Sequence, residues 1–211
     1  MHDTLVFSAA IFDYEIEDQQ IQFVSLTTGG SVSFENAELA NIRGLDFDIM
    51  WVIAPHLVEG LVLVGGAGWL ETAEFTSYPN AKGYTNNSGL SASNQDFSGN
   101  RIQKTPEISG NLALSKTWML SDGELEMAAD LYYTQEFFYE PSNREESIED
   151  GYTMWGARLS YLHEPWNTRV TLFGRNLTDI NTTRGYIGAE FSNPIIPSVP
   201  RTYGLRLSWQ Y

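Results

Sequence analysis

The sequence predicts an all-β fold, an antiparallel up-and-down transmembrane β-barrel segment of about eight strands. Three observations predict it. Apolar residues recur at every second position in one segment after another, the connections between segments alternate short with long, and aromatic residues gather toward segment ends with aliphatic residues between them.

Taken in order, Val6, Ala10, Phe12, Tyr14 and Ile16 form the first, least regular alternating set. Leu45, Phe47, Ile49, Trp51 and Ile53 then alternate with Gly44, Asp46, Asp48 and Met50. A glycine-rich strand, Leu61 to Phe75, follows, and its pattern assigns it no face. Ile108, Leu112 and Leu114 alternate with Ser109, Asn111 and Ala113, and Leu125, Met127, Ala129, Leu131 and Tyr133 with Glu124, Glu126, Ala128, Asp130 and Tyr132. Trp155, Ala157, Leu159 and Tyr161 oppose Met154, Gly156, Arg158 and Ser160; Val170 and Leu172 oppose Arg169, Thr171 and Arg175. The last segment is the clearest: Tyr203, Leu205, Leu207, Trp209 and Tyr211 share one face, and Thr202, Gly204, Arg206, Ser208 and Gln210 the other.

Short turns are expected at 54–56, 121–123 and 164–167, and long loops at 18–40, 75–104, 139–151 and 178–199. All eight prolines fall in connections or at strand starts, as a chain of paired strands requires. The same alternation would suit a soluble barrel with its apolar side inward. Aromatic placement decides between the two: Trp51, Trp118, Trp166 and Trp209 lie toward the short turns, and Trp69 and Trp155 toward the long loops. Two aromatic belts around an aliphatic band are what lipid headgroup interfaces select.

Composition excludes several chemistries. The 211 residues carry 12 Lys+Arg against 27 Asp+Glu, a formal net charge of -15, which argues against nucleic acid as a partner. There is no Cys, and His2, His56 and His163 lie far apart without metal-ligand spacing, so no metal or cofactor is expected. The longest apolar run, Leu61 to Gly68, is too short for a spanning helix. No secretory signal opens the sequence, so an exported form is expected to come from a longer precursor. No catalytic residue is expected either, because no Gly-x-Ser-x-Gly elbow is present and His56 and His163 fall on short turns.

Certain motifs resemble those of a known family. Gly174-Arg175-Asn176-Leu177-Thr178-Asp179 after a strand, and Pro200-Arg201-Thr202-Tyr203 running through an alternating strand to Tyr211, resemble the C-terminus of TonB-dependent outer-membrane receptors. Phe12-Asp13-Tyr14, Asn41-Ile42-Arg43-Gly44 and Gly99-Asn100-Arg101 with Pro106 are similar to earlier stations of the same barrel. The resemblance implies a 22-stranded barrel filled by a plug domain, of which residues 1–211 are the C-terminal part, without plug or earlier strands. It implies a Gram-negative outer-membrane location and energised uptake of a scarce nutrient, above all a ferric siderophore or other iron complex. Implied partners are outer-membrane lipid and lipopolysaccharide, the plug and remaining strands, the TonB energy-coupling complex acting through the plug, and the small-molecule nutrient. A complete eight-stranded barrel with a porin, structural or adhesion role is the alternative. Eight strands apart from their neighbours are expected to expose two edges and to be unstable or aggregate unless they close or pair.

Candidate ligand contacts are Tyr78, Tyr84 and Tyr186 in the loops, by stacking, and Arg158, Arg169 and Arg175 on the polar face. These arginines and Arg206 are otherwise expected to pair with Asp46, Asp48, Asp130 or neighbouring acids. The acidic stretch Glu140, Glu145, Glu146, Glu149 and Asp150 is either a solvated loop or a gatherer of cations. The sequons at Asn86, Asn176 and Asn181 are expected to be chance matches.

Overall fold

The computed structural model describes residues 4–25, 31–53, 58–85, 91–188 and 193–209, so the first short turn, with His56, lies outside the described residues. The strands are β1 (Leu5–Ser25), β2 (Ser31–Val52), β3 (Leu61–Ser77), β4 (Ala81–Thr85), β5 (Ser91–Gln95), β6 (Ile108–Leu120), β7 (Gly123–Thr134), β8 (Phe137–Phe138), β9 (Ile148–Glu149), β10 (Tyr152–His163), β11 (Thr168–Arg175), β12 (Thr183–Tyr186), β13 (Ile195–Pro197) and β14 (Thr202–Trp209). Eight of them form one sheet in the order β1-β2-β3-β6-β7-β10-β11-β14, each pairing antiparallel with its neighbour. The sheet is open, with β1 and β14 as its edges. Three two-stranded hairpins, β4-β5, β8-β9 and β12-β13, lie in the long connections. No helix among the described residues is long and apolar enough to cross a membrane.

Register carries the two faces from strand to strand. Leu5, Trp51, Leu63, Leu114, Ala129, Ala157, Gly174 and Tyr203 follow one another by successive pairing, so they share the apolar side. The adjacent polar row runs Ser8, Asp48, Gly66, Asn111, Tyr132 and Met154. The glycine-rich third strand thereby gains its faces: Leu63, Gly65, Ala67 and Trp69 are apolar-side residues. Trp51, Trp69, Trp118, Trp155 and Trp209 all lie on that side, which leaves their rings at the surface.

Two expectations need correction. On β1 the apolar side is carried by Leu5, Phe7, Ala9 and Ile11, which pair with Trp51, Ile49, Phe47 and Leu45; the set Val6, Ala10, Phe12, Tyr14 and Ile16 faces the polar side. Both sets on β1 are apolar, so alternation alone chooses the wrong one, and only pairing with β2 decides. The expected loop 18–40 is largely strand, because β1 and β2 continue in unbroken register to Ser25 and Ser31. There the hairpin has left the apolar band, so nothing demands an apolar side and the alternation fades.

The short turns are tight. Ser121 and Asp122 join β6 to β7, and a 3-10 turn at Glu164–Trp166 ends on Asn167 in the left-handed region (φ 45°) before β11. The buried core lies at the opposite end, among the long connections. Ile21, Ala37, Ala40, Phe75, Tyr78, Ala81, Phe97 and Ile102 cluster there, with Ile16 and Ile42 packed against them. Among the described residues the band has no second layer.

Candidate functional site

Two surfaces have functional character: the polar face of the wall and the cluster of long connections. On the polar face charge is sorted by strand. Asp46 and Asp48 on β2 and Asp130 on β7 stand over glycines of the next strand. A Cβ on Gly66, Gly68 or Gly156 would come within 2.9, 3.1 and 2.5 Å of their carboxylate oxygens. Arg158, Arg169, Arg175 and Arg206 occupy β10, β11 and β14. The expected pairing of these arginines with Asp46, Asp48 and Asp130 does not form. Arg158 bonds instead to Glu126, directly along the sheet at 2.7 Å. Arg175 lies 5.2 Å over the Phe173 ring. Among the described residues, Arg169, Arg175 and Arg206 have no acidic partner. The wall therefore presents an acidic sector on β2 to β7 and a basic one on β10 to β14. Within the acidic sector Asp46, Asp48, Ser109, Asn111 and Tyr132 line a depression of about 380 Å³.

The loop cluster begins at Tyr78. Its ring packs edge-on against Phe75 and Phe97 at 5.1 and 5.5 Å. Its hydroxyl donates to Glu35, whose carboxylate also accepts the Lys82 N–H at 3.0 Å. Burial pushes the Glu35 carboxyl upward, against the downward pull of the Tyr78 and Lys82 hydrogen bonds. With 1% of its surface accessible, Tyr78 is a packing residue in this structure rather than a surface for stacking. Tyr84 lies on β4, and its side chain is outside the described residues.

The second connection is tied to the third. Asn143 exchanges hydrogen bonds with the Arg101 backbone at 2.7 and 2.9 Å, Asn100 donates to the Pro141 carbonyl at 2.8 Å, and the Lys104 N–H donates to the Phe138 carbonyl at 2.8 Å. The third is tied to the fourth around Tyr186, the remaining loop candidate. Tyr186 stacks on Tyr139 with centroids 6.1 Å apart, and Arg144 donates to its hydroxyl at 3.2 Å. Arg144 is itself buried with Glu140 at 3.1 Å. The Tyr139 hydroxyl donates to the Thr183 carbonyl, and the Glu149 carboxylate accepts the Thr183 N–H at 3.1 Å. Burial, with Glu140 next in effect, pushes the Tyr186 phenol up to about 12; burial and then Glu149 do the same for Tyr139. Lys104 stands 5.6 Å from the Tyr139 ring centre.

Glu140 is thus held within its own connection by Arg144 and Ser142, Glu149 ties the third connection to the fourth, and Glu145 lies exposed. Among the described residues no group of three or more acids or histidines is placed to hold a metal ion. His163 sits at the short-turn end, 3.7 Å from Asp122 and against Trp166. Arg144 and Tyr139 escape a reading of the sequence alone. The one available signal is Glu140 and Arg144 four apart, with Arg144 the single arginine in an acidic stretch.

The terminal motif has a structural meaning. Asn176 takes the left-handed conformation (φ 51°), and its side chain donates to the Ile180 carbonyl at 2.9 Å and accepts the Ile180 N–H at 3.1 Å. It also donates to the Val199 carbonyl at 3.4 Å, and Asp179 pairs with Arg201 at 2.9 Å. The motif staples the exit of β11 to the entry of β14.

Sheet topology, aromatic belts and sorted connections define a wall segment of an up-and-down membrane β-barrel. Residues 1–177 match the family model for the TonB dependent receptor-like β-barrel, and the chain belongs to that family. Solved structures agree on the fold. The ferric yersiniabactin uptake receptor FyuA from Yersinia pestis superposes with a TM-score of 0.74 at 16% identity, over 98% of this chain and 28% of that one. The siderophore receptor PiuA from Acinetobacter baumannii gives 0.70 at 17% identity, over 98% and 26%. BauA, the ferric preacinetobactin receptor from the same organism, gives 0.61 at 19%, over 98% and 27%. The chain thus spans about a quarter of the length of these receptors. The family and these neighbours are transport receptors, not enzymes.

Proposed function

We propose that the chain forms the C-terminal wall and outer loops of a Gram-negative outer-membrane receptor that takes up a ferric siderophore or other iron complex. The observation that carries this is the family match together with siderophore receptors as structural neighbours. In this reading residues 1–211 continue a longer barrel, a plug domain fills the lumen, and the TonB complex supplies energy through that plug. Lipid surrounds the apolar face, and lipopolysaccharide flanks it on the loop side.

The loop chemistry supports an anionic, aromatic-rich cargo: Tyr186 and Tyr139 offer a stacked pair with Lys104 beside it, while Arg144 is neutralised by Glu140 and holds the pair in place. On the polar face Arg169 and Arg175 are the contacts of choice, since Arg158 is already engaged by Glu126. Uptake of radioactive iron by a strain lacking the receptor and complemented with the wild-type or variant gene tests this. A catecholate, a hydroxamate and a carboxylate siderophore serve as cargo. Transport of at least one, abolished without TonB and reduced several-fold by Tyr186→Ala, is expected. Equal uptake with and without the gene for all three refutes the proposal.

A further inference from the structure

The apolar face carries one charge that lipid should not tolerate. Lys116 lies in the row Lys116, Met127, Leu159, Leu172 and Leu205. Among the described residues it is the only Lys, Arg, Asp or Glu on the apolar side from the Ile11–Leu45–Trp69 level down to the short turns. Its stem bends toward the short-turn belt, where Nζ donates to the Glu59 carbonyl and stands 5.4 Å from the Trp118 ring centre. An ammonium has three N–H groups, so two remain for an outside acceptor at the membrane interface.

A groove begins one strand further on. Met127, Leu159, Leu172 and Tyr203 form its sides over a floor of Ala157 and Gly174, and its volume is about 410 Å³. It crosses from β7 to β14, three strand spacings or about 14 Å, and its mouth is about 5 Å from the strand of Lys116. The whole chain carries a net charge of -15, and Arg169, Arg175 and Arg206 lie on the opposite, polar face. The lysine is a local exception placed beside a trough for hydrocarbon.

We propose that Lys116 and this groove bind one anionic glycerophospholipid, its phosphate on the Lys116 ammonium and one acyl chain along the Ala157–Gly174 floor. The proposal rests on the outer-membrane reading above and adds a specific lipid to it.

Native mass spectrometry of the full-length protein, purified from outer membranes in mild detergent and titrated with phosphatidylglycerol or phosphatidylethanolamine, tests it. Wild type should retain a single phosphatidylglycerol about ten-fold more strongly than phosphatidylethanolamine. Lys116→Gln should abolish that preference, and Lys116→Arg should keep it. Ala157→Leu, which fills the floor without adding polarity, should weaken retention of both lipids. A Lys116→Gln protein with wild-type preference, or an Ala157→Leu protein with wild-type retention, overturns the site while leaving the membrane reading intact. Absence of the protein from the outer-membrane fraction overturns both.

Discussion

Replacing Asn176 with alanine removes a side chain that is 4% exposed and holds two loop ends together. Its bonds to Ile180 at 2.9 and 3.1 Å are each worth about 1 kcal/mol net; the contact to Val199 at 3.4 Å adds little. Alanine must also hold a φ of 51°, a left-handed conformation that costs it about 1 kcal/mol more than asparagine. Together these give a loss of about 3 kcal/mol, which lowers the folded-to-unfolded ratio by about two orders of magnitude. Glycine at the same position loses the hydrogen bonds but not the backbone fit, so Asn176→Gly should cost about 2 kcal/mol. The assay is urea unfolding of the protein in lipid vesicles, read by the heat-modifiable gel band. With a slope of about 2 kcal/mol/M, alanine should shift the midpoint by about 1.5 M and glycine by about 1 M. If Asn176→Ala stays within about 0.5 kcal/mol of wild type, the staple does not hold the loop. If glycine costs as much as alanine, the backbone part of the reasoning is wrong.

Three further outcomes are expected. Phe7→Arg, which puts a charge on the apolar side of β1, should cost about 2–4 kcal/mol and reduce the folded band, whereas Ser8→Arg on the polar side should be nearly neutral; the reverse order would refute the face given to β1. Arg144→Met leaves Glu140 buried without its cation, a local loss of about 3–5 kcal/mol, so limited proteolysis should cut between 137 and 150 in this variant; adding Glu140→Gln should restore resistance, and an uncut single variant would refute the coupling. Tyr139 and Tyr186, held up to about 12, should form tyrosinate well above the ordinary phenol range. Because folding raises these values, the stability they contribute is fully present below pH 10 and disappears as pH rises through about 12. Tyrosinate absorbance should therefore lose its latest phase in the double variant Tyr139→Phe/Tyr186→Phe, and an unchanged late phase would contradict the assignment.

Alternation makes the strands legible wherever one side is apolar and the other polar, as on β2, β6, β7, β10, β11 and β14. It misassigns β1 because Phe12, Tyr14 and Ile16 are apolar yet face the polar side, where Phe12 stacks on Tyr14 at 5.4 Å. It is silent on the outer hairpin of β1 and β2, where neither side is in the apolar band. Which charges meet is a matter of register between strands distant in sequence. Arg158 finding Glu126 rather than Asp130 is therefore visible only once β10 is laid against β7. Of the candidate site, Tyr186 stands out by residue type, whereas Arg144 and Tyr139 acquire meaning only when the third and fourth connections fold together. The Asn-Leu-Thr-Asp element is recognisable as a motif in the sequence, whereas its mechanical purpose depends on Ile180 and Arg201 coming back to it in the fold.

The bulges between Leu39 and Ala40 and between Arg43 and Gly44, where β2 meets β3, bear on how such a wall can change over evolutionary time. A strand with one apolar and one polar side counts its residues modulo two, so an insertion of one would turn every later side chain inside out, whereas an insertion of two would only lengthen the span. A bulge absorbs an odd residue. The extra residues, Thr76 and Glu71, sit on β3 at the outer margin of the apolar band, next to a connection free to vary, so heritable changes in loop length can end there without reversing the apolar-side parity of Leu63, Ala67 and Trp69.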